Sequence, residues 1–226
     1  MEPIRKKSTY LKDDVYHTLK KAILVGSLKY GQRITLTEIS QILEVSRTPV
    51  RDAVTRLEAE NLVQSTNKKG ILIIGISPKD LRDIFEIRLF LETNAATDVC
   101  KKRTKSDLEK LSKLNQAMQN AQIEGNAEKY QFYDDAFHYF LYKVSNKINL
   151  YVLLNSLMEY CSFFRSTDNF ENMALIKQDL QDHLQLVEAI RARNKHVARK
   201  IVEVHLLRLR DALIKDYSDK QYSRLQ

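Results

Sequence analysis

The chain has 226 residues, only eight of them Gly or Pro, and its 37 Lys and Arg outnumber its 29 Asp and Glu. This composition argues against turn-rich all-β folds and glycine-rich phosphate-binding loops, because both need many more of these residues. Seven of the eight lie before Lys79, which predicts a short mixed N-terminal part and a long helical remainder. Residues 1–76 hold 13 basic against 8 acidic side chains, a surplus that favours contact with a polyanion.

Three helix signals follow one another in the first third of the chain. Apolar residues spaced by about four predict a helix over residues 10–28, ended by glycines. Thr35 and Glu38 have the spacing of a capping box, which opens a second and shorter helix. Ser46 is a candidate cap of a third helix, with Pro49 in its first turn. The tight turn between the last two helices is typical of a helix-turn-helix.

A hairpin is predicted after the third helix. The β-type runs at 62–63 and 71–74 bracket a basic turn at 67–70. Helix, short helix, turn, helix and hairpin is the order of a winged helix-turn-helix. In that arrangement the third helix fits the major groove of double-stranded DNA.

Side chains at the start of the third helix and at the hairpin tip have the chemistry for DNA contact. Arg47 and Arg51 lie one turn apart, where both can make bidentate hydrogen bonds to guanine. Hydroxyls at the helix start can donate hydrogen bonds to DNA phosphates. The basic hairpin tip can reach the adjacent groove or the DNA backbone. The residues expected in these roles are Ser46, Thr48, Lys68, Lys69 and Gly70. The alternative for the arginines is a solvated helix face.

The N-terminal third resembles the DNA-binding domain of the GntR superfamily of bacterial transcription regulators, over about 65 residues. The most specific match is the run 46–51 (SRTPVR) followed by 56–58 (RLE). The resemblance implies base contacts by Arg47 and Arg51. It implies phosphate or minor-groove contacts near Arg33, Ser46, Thr48 and Gly70. Glu44 and Asn61 stand where the family usually has glycine in helix-ending turns, so a strained turn is expected at Glu44.

The rest of the chain is predicted to be helical. Residues 77–80 (SPKD) form a clear helix start, with a cap, a proline and an acid in order. Six helices are predicted, at 78–102, 105–124, 127–145, 147–166, 172–192 and 195–216. Candidate caps are Thr104, Asn126 and Asn146. The chain is therefore expected to be mainly α, with a winged helix-turn-helix domain at 1–76 and an antiparallel helical bundle at 77–226.

Five polar residues interrupt apolar helix faces in this bundle. Asp134 and His138 are four residues apart and share a face, and His183 and His205 interrupt the stripes of two other helices. Arg88 does the same on the first helix of the bundle. Singly, each is more often a satisfied core residue. Together, three inward histidines and one aspartate suit a divalent metal such as Zn²⁺, Ni²⁺, Mn²⁺ or Fe²⁺, with Zn²⁺ the first choice.

The bundle resembles the ligand-binding domain of the FadR-like branch of the same superfamily, the FCD domain, over residues 77–216. The matching pieces are Glu86-Ile-Arg88 with Glu92, Asp134 with His138, Asp182-His183 and Val204-His205. The resemblance implies the following ligands for a divalent metal: Asp134, His138, His183 and His205. It also implies that Arg88 lies near the effector pocket. Six helices place the chain in the shorter, VanR-like group.

These features predict an effector-responsive transcription regulator that acts as a repressor. A small carboxylate is expected to bind beside the metal, with Arg88 clamping one of its oxygens. Effector binding would change the helix packing and reorient the DNA-binding domains. Because one recognition helix reads few bases, a homodimer on an inverted-repeat operator is expected.

Two alternatives use the same residues differently. The metal could be a structural staple of a bundle that serves only for dimerisation. The chain could also be a metalloenzyme with Asp135 or Glu92 as general base, although Asp135 is expected to face away from Asp134.

Two further features bear on location. Cys100 and Cys161 are isolated and lack CxxC spacing, which suggests a reducing compartment. No signal peptide and no run of about 20 apolar residues is apparent. A cytoplasmic protein without a membrane partner is expected.

Overall fold

The structure is a computed structural model that describes residues 7–24, 26–66, 70–164 and 173–222 of the chain. Nine helices and three strands lie within these ranges, in the mainly helical arrangement that the sequence predicted. The chain divides into two compact units, Met1–Ser77 and Pro78–Gln226. None of the helices described is long and apolar enough to cross a membrane. The predicted DNA contacts Lys68 and Lys69 lie outside the described residues.

The N-terminal unit has the element order of a winged helix-turn-helix. Its elements are α1 (Lys7–Leu24), β1 (Arg33–Ile34), α2 (Leu36–Ile42), α3 (Arg47–Ala59), β2 (Val63–Thr66) and β3 (Gly70–Ile73). The strands form an antiparallel sheet in the order β1-β3-β2. Arg33 lies opposite Leu72 in this sheet, and Val63 lies opposite Ile73. The sequence predicted only the β2–β3 hairpin, because a strand of two residues has no periodicity to detect.

Helix α3 lies at the centre of this unit's core. It packs against α1, α2 and β2, and Val50, Ala53 and Leu57 on its inner face are buried. Burying a side chain such as Leu57 contributes about 1.5–3 kcal/mol. This burial fixes the rotation of α3 about its axis and leaves the face with Arg47 and Arg51 exposed to solvent.

The turns around the helix-turn-helix follow local sequence signals. Thr35 Oγ1 accepts a hydrogen bond from the amide of Glu38 at 3.2 Å, and Glu38 Oε2 accepts one from the amide of Thr35 at 2.7 Å. The predicted capping box is therefore present. Glu44 and Asn61, which follow α2 and α3, have φ values of 52° and 57°. This left-handed backbone costs a non-glycine residue about 1–2 kcal/mol, and asparagine tolerates it better than glutamate.

The described residues of the C-terminal unit form six helices. They are α4 (Pro78–Lys102), α5 (Lys105–Ile123), α6 (Ala127–Val144), α7 (Ile148–Phe164), α8 (Met173–Arg191) and α9 (Lys195–Tyr222). Each starts within one residue of its predicted start, and α9 runs six residues beyond its predicted end at 216. Helix α4 packs against α6, α7, α8 and α9. It is therefore the central helix around which the others are arranged.

Two of the three predicted caps begin helices of this unit. Thr104 and Asp107 form a reciprocal capping box at the start of α5. The side chain of Asn126 accepts a hydrogen bond from the amide of Lys129 at 2.9 Å, at the start of α6. Asn146 differs from its prediction, since it has a φ of 56° in the turn after α6. It takes the left-handed position that ends a helix rather than the extended one that begins the next.

Candidate DNA interface and metal centre

The predicted DNA contacts of the helix-turn-helix lie at the exposed start of α3. Ser46 is the residue before the helix, has an extended backbone and makes no capping hydrogen bond with its side chain. Thr48, Arg47 and Arg51 are all exposed. Neither arginine's guanidinium makes an ion pair or hydrogen bond with the described part of the chain. The positive end of α3 and two unpaired arginines form a surface suited to phosphate and base edges.

The other predicted contacts that the structure describes, Arg33 and Gly70, lie in the small sheet, on β1 and at the start of β3. Arg33 on β1 donates from Nη1 to Thr66 Oγ1 at 3.2 Å, and Thr66 donates in turn to the carbonyl of Gly70 at 2.7 Å. Gly70 has a φ of +80°, and a Cβ there would lie 2.8 Å from the carbonyl oxygen of Ile34. Only glycine fits this close approach of two strands. The structure therefore requires glycine at position 70, whether or not this residue contacts DNA.

The four residues predicted to bind a metal come together in the C-terminal unit. His138 on α6, His183 on α8 and His205 on α9 are buried, and one ring nitrogen of each lies within 4.8 Å of the others. Asp134, one turn before His138, has its Oδ1 3.8 Å from His138 Nε2 and 3.7 Å from His183 Nε2. Two atoms bound to one metal at about 2.1 Å lie up to about 4.2 Å apart. The carboxylate and both imidazoles therefore fit a single ion.

His183 gives the clearest indication that this cluster suits a metal. Both of its ring nitrogens are buried and have no hydrogen-bond partner among the described residues. Burial lowers the pKa of its imidazole to about 4, against the opposing effect of the Asp134 carboxylate. The ring is therefore neutral near pH 7 and keeps the lone pair that a metal ligand needs. A buried polar group without a partner is costly, and a bound ion would remove that cost.

A second acidic group lies beside His205. Nδ1 of His205 lies 3.6 Å from Asp179 Oδ1 and 3.3 Å from Asp182 Oδ2. Arg208 on α9 donates to both carboxylates, at 3.0 Å to Asp179. Its guanidinium already provides the positive charge that these carboxylates need. The side of His205 that faces Asp134 and the other histidines is therefore the better candidate for a metal ion.

Hydrogen bonds set the charge of Asp182 and the orientation of His205. Burial raises the pKa of Asp182, but its hydrogen bonds with His205, Arg208 and Gln178 outweigh burial and lower it to about 2. Burial lowers the pKa of His205. The hydrogen bond to Asp182 and the charges of the nearby carboxylates outweigh burial, so the pKa of His205 lies above its ordinary value. An ionised Asp182 that accepts from Nδ1–H would leave Nε2 of His205 as the atom available to a metal ion.

Sequence reasoning did not identify Asp179 and Arg208 as part of this site. The signal was their helical spacing, since Asp179 lies four residues before His183 and Arg208 three residues after His205. Each therefore shares a helix face with a predicted ligand. Their pairing across α8 and α9 becomes visible only when the two helices are known to be neighbours.

Arg88 and Glu92 form a buried ion pair beside the histidines. Arg88 Nε donates to Glu92 Oε1 at 2.7 Å, one turn apart on α4. Glu92 Oε2 lies 4.0 Å from His138 Nδ1, on the side of the ring away from Asp134. Glu92 also borders a small cavity of about 10 Å³ together with Asp182 and the three histidines. Asp135, the other base considered for an enzyme, accepts a hydrogen bond from Gln131.

Two family patterns match the chain. The pattern of the gntR family of bacterial regulatory proteins matches residues 11–73, and that of the FCD domain matches residues 83–208. The second alone covers more than half of the chain. Together they account for both units of the structure.

Individual relatives agree with these matches. The chain is 29% identical over 195 residues to an uncharacterized HTH-type transcriptional regulator, YdhC of Bacillus subtilis, covering 84% of this chain and 85% of that one. It is 24% identical over 188 residues to the gluconate operon transcriptional repressor of the same species, covering 80% and 76%.

A solved structure supports the fold. Escherichia coli McbR/YncC aligns with a TM-score of 0.70 and 24% identity over 92% of this chain and 98% of that one. The matched families and relatives are transcription regulators and not enzymes. The chain therefore belongs to the gntR family of bacterial transcription regulators, in the FadR-like branch whose second domain is an FCD domain.

Proposed function

We propose that this regulator is a metal-containing repressor whose binding to operator DNA is modulated by a small carboxylate. The observation that carries the proposal is the convergence of His138, His183 and His205, with Asp134, in the FCD unit of a DNA-binding regulator. These side chains leave positions open on a divalent ion such as Zn²⁺. An ion held there supplies a Lewis-acid centre for a carboxylate oxygen of the effector.

The chain's own residues have distinct tasks in this proposal. Asp182 orients the ring of His205, and Arg88 supplies the positive charge for a second oxygen of the effector. Helix α4 carries Arg88 and packs against the helices that carry the ligands. A ligand that moves Arg88 would therefore change the packing of α4 against these helices. Allosteric regulators commonly use such a change in helix packing.

DNA reading is assigned to α3, to Arg33 and to the predicted hairpin turn at 67–70. Arg47 and Arg51 would contact bases, and phosphate or groove contacts would come from Arg33, Ser46, Thr48, Lys68, Lys69 and Gly70. A single helix reads few bases, so we propose a homodimer on an inverted-repeat operator. The regulator would act in the cytoplasm, where bacterial DNA is found.

An apolar surface supports the homodimer. Helices α4 and α7 pack against each other, and between them they carry five large apolar side chains that are more than half exposed: Ile87, Phe90, Ile148, Val152 and Leu153. We propose that these side chains form one apolar patch, and a large patch of this kind usually marks an interaction surface. A second copy of the chain in isologous contact would cover it.

Metal analysis of the purified protein tests the proposal. We expect one divalent ion per chain by mass spectrometry, and loss of that ion in His183→Ala, which removes a buried imidazole. His196→Ala, at an exposed position on α9, should keep the ion. Circular dichroism checks that both variants are folded. A metal-free parent protein, or a His183→Ala variant with full metal content, would contradict the site.

The same preparations separate a regulatory metal from a structural staple. Chelation that unfolds the protein while carboxylate binding proves independent of the ion favours the staple. Chelation that leaves the helices folded and abolishes carboxylate binding supports the regulatory role.

A further inference from the structure

Arg88, the residue assigned to the effector carboxylate, already binds a carboxylate of its own chain. Its Nε donates to Glu92 Oε1 at 2.7 Å, and the two side chains are 0% and 3% exposed. The other carboxylate oxygen of Glu92 lies 4.0 Å from Nδ1 of His138. The carboxylate thus lies between the guanidinium and one of the proposed metal ligands, where an effector carboxylate is expected to bind.

The cavity offers no second position for an effector at this point. It is bordered by Glu92, His138, His183 and His205, and its volume of about 10 Å³ is about what one water molecule needs. Even the smallest organic acid is larger. An incoming carboxylate therefore has to take the place of a group already present. Two carboxylates border the cavity; Asp182 is held by His205 and Arg208, and Glu92 is the one held by Arg88.

We propose that Glu92 is an internal substitute for the effector, holding Arg88 in the effector-free protein and leaving the guanidinium when a carboxylate effector binds. The inference rests on the proposed function, since it takes the effector to be a carboxylate that binds at Arg88. Exchanging one carboxylate for another keeps a partner on the buried guanidinium throughout, and the released Glu92 carboxylate turns to the Nδ1–H of His138, which lies 4.0 Å from its Oε2. Both buried carboxylates therefore keep a polar partner, which avoids the large cost of an unpaired buried charge. No bond is made or broken other than hydrogen bonds and ion pairs.

This exchange determines which ligands can act. A neutral or cationic compound cannot replace Glu92 on Arg88, so the effector class is restricted to anions with a carboxylate-like head. The displacement is also transmitted, because α4 packs against α6, α7, α8 and α9. Movement of Glu92 away from Arg88 therefore alters packing at the centre of the unit.

The variant Glu92→Gln tests the inference. It keeps the shape of the side chain and an acceptor oxygen for Arg88, and it removes the negative charge. Acetate is the probe, because it reproduces the carboxylate head of Glu92. We expect acetate to bind this variant at least about tenfold more tightly than the parent by calorimetry, since an ion pair now replaces a neutral hydrogen bond. Glu188→Gln, at a 68% exposed position on α8, should bind acetate like the parent.

A second variant covers the case in which Glu92→Gln folds poorly. Glu92→Ala opens space beside Arg88, and acetate should raise its melting temperature more than that of the parent. Unchanged acetate binding in Glu92→Gln, or no rescue of Glu92→Ala, would overturn the inference. Loss of metal from Glu92→Gln without a gain in acetate binding would also overturn it, and would make Glu92 a support of His138. A metal-free parent protein is detected separately by metal analysis, so failure of the proposed function is not confused with failure of this inference.

Discussion

At the residue scale, the three arginines of α3 differ in their surroundings. Arg56 of α3 pairs with Asp13 at 2.7 Å, and its guanidinium lies 3.6 Å from the ring centre of Tyr16. Arg47 and Arg51 have no such partners among the residues described. Arg56 is thus used to hold α3 on α1, while the other two are available for an outside ligand. This contrast makes a merely solvated helix face the weaker interpretation of Arg47 and Arg51.

Arg51→Ala should weaken operator binding by about 1–3 kcal/mol, or about fivefold to 150-fold, because a bidentate contact to a base edge is lost. The DNA is a duplex selected from random sequences by the parent protein, and fluorescence anisotropy at fixed salt gives the affinity. Arg199→Ala on the exposed surface of α9 removes the same charge and is the control. Equal losses in both variants would mean that Arg51 contributes only general charge.

At the scale of elements, the candidate metal centre depends on the pairing of α8 with α9. Asp179 and Asp182 face Arg208 and His205 across this pair. The guanidinium holds the two carboxylates, and Asp182 in turn holds the imidazole ring at 3.3 Å. A carboxylate behind a metal-binding histidine fixes its tautomer and raises its basicity. The orientation of His205, one of the proposed ligands, therefore depends on residues outside the proposed ligand set.

Asp182→Asn is expected to lower metal affinity by about 10–100-fold, since the amide is a weaker acceptor for His205 and can present its donor instead. Competition with a coloured chelator measures the affinity. Asp211→Asn, which changes an exposed partner of Arg210 on α9, is the matched control and should not alter it. An Asp182→Asn protein with parental metal affinity would show that the second acidic group is separate from the centre.

Elements differ in how far the sequence predicts them. The starts of α2, α5 and α6 were predictable because Thr35, Thr104 and Asn126 act on amides within three residues. Strand β1 was not, since its pairing comes from residues nearly forty positions away. The burial of Lys20 was also not predictable, because the side chain packs against Tyr16 and pairs with the distant Glu60. The inward histidines could be predicted from helix periodicity, whereas the pairing of Arg208 depends on which helices are neighbours.

The whole molecule combines a DNA-binding unit with a helical bundle that carries exposed apolar side chains on α4 and α7. The exposed apolar residues of α4 and α7 lie on the central helix and on a helix packed against it. A dimer formed there would join the two copies through the same helix that carries Arg88 and Glu92. Changes at the effector site would then reach the dimer contact within one element, without a longer path through the bundle.

Phe90→Glu is the sharpest test of this arrangement, because the side chain is 70% exposed and a charge there costs the folded monomer little. In a dimer the same charge would be buried without a partner, which is strongly unfavourable. Analytical ultracentrifugation should find a folded monomer, and binding to a two-half-site operator should fall steeply. Phe132→Glu on α6, at a 67% exposed position, should remain dimeric. A Phe90→Glu protein that still sediments as a dimer would place the interface on another surface of the bundle.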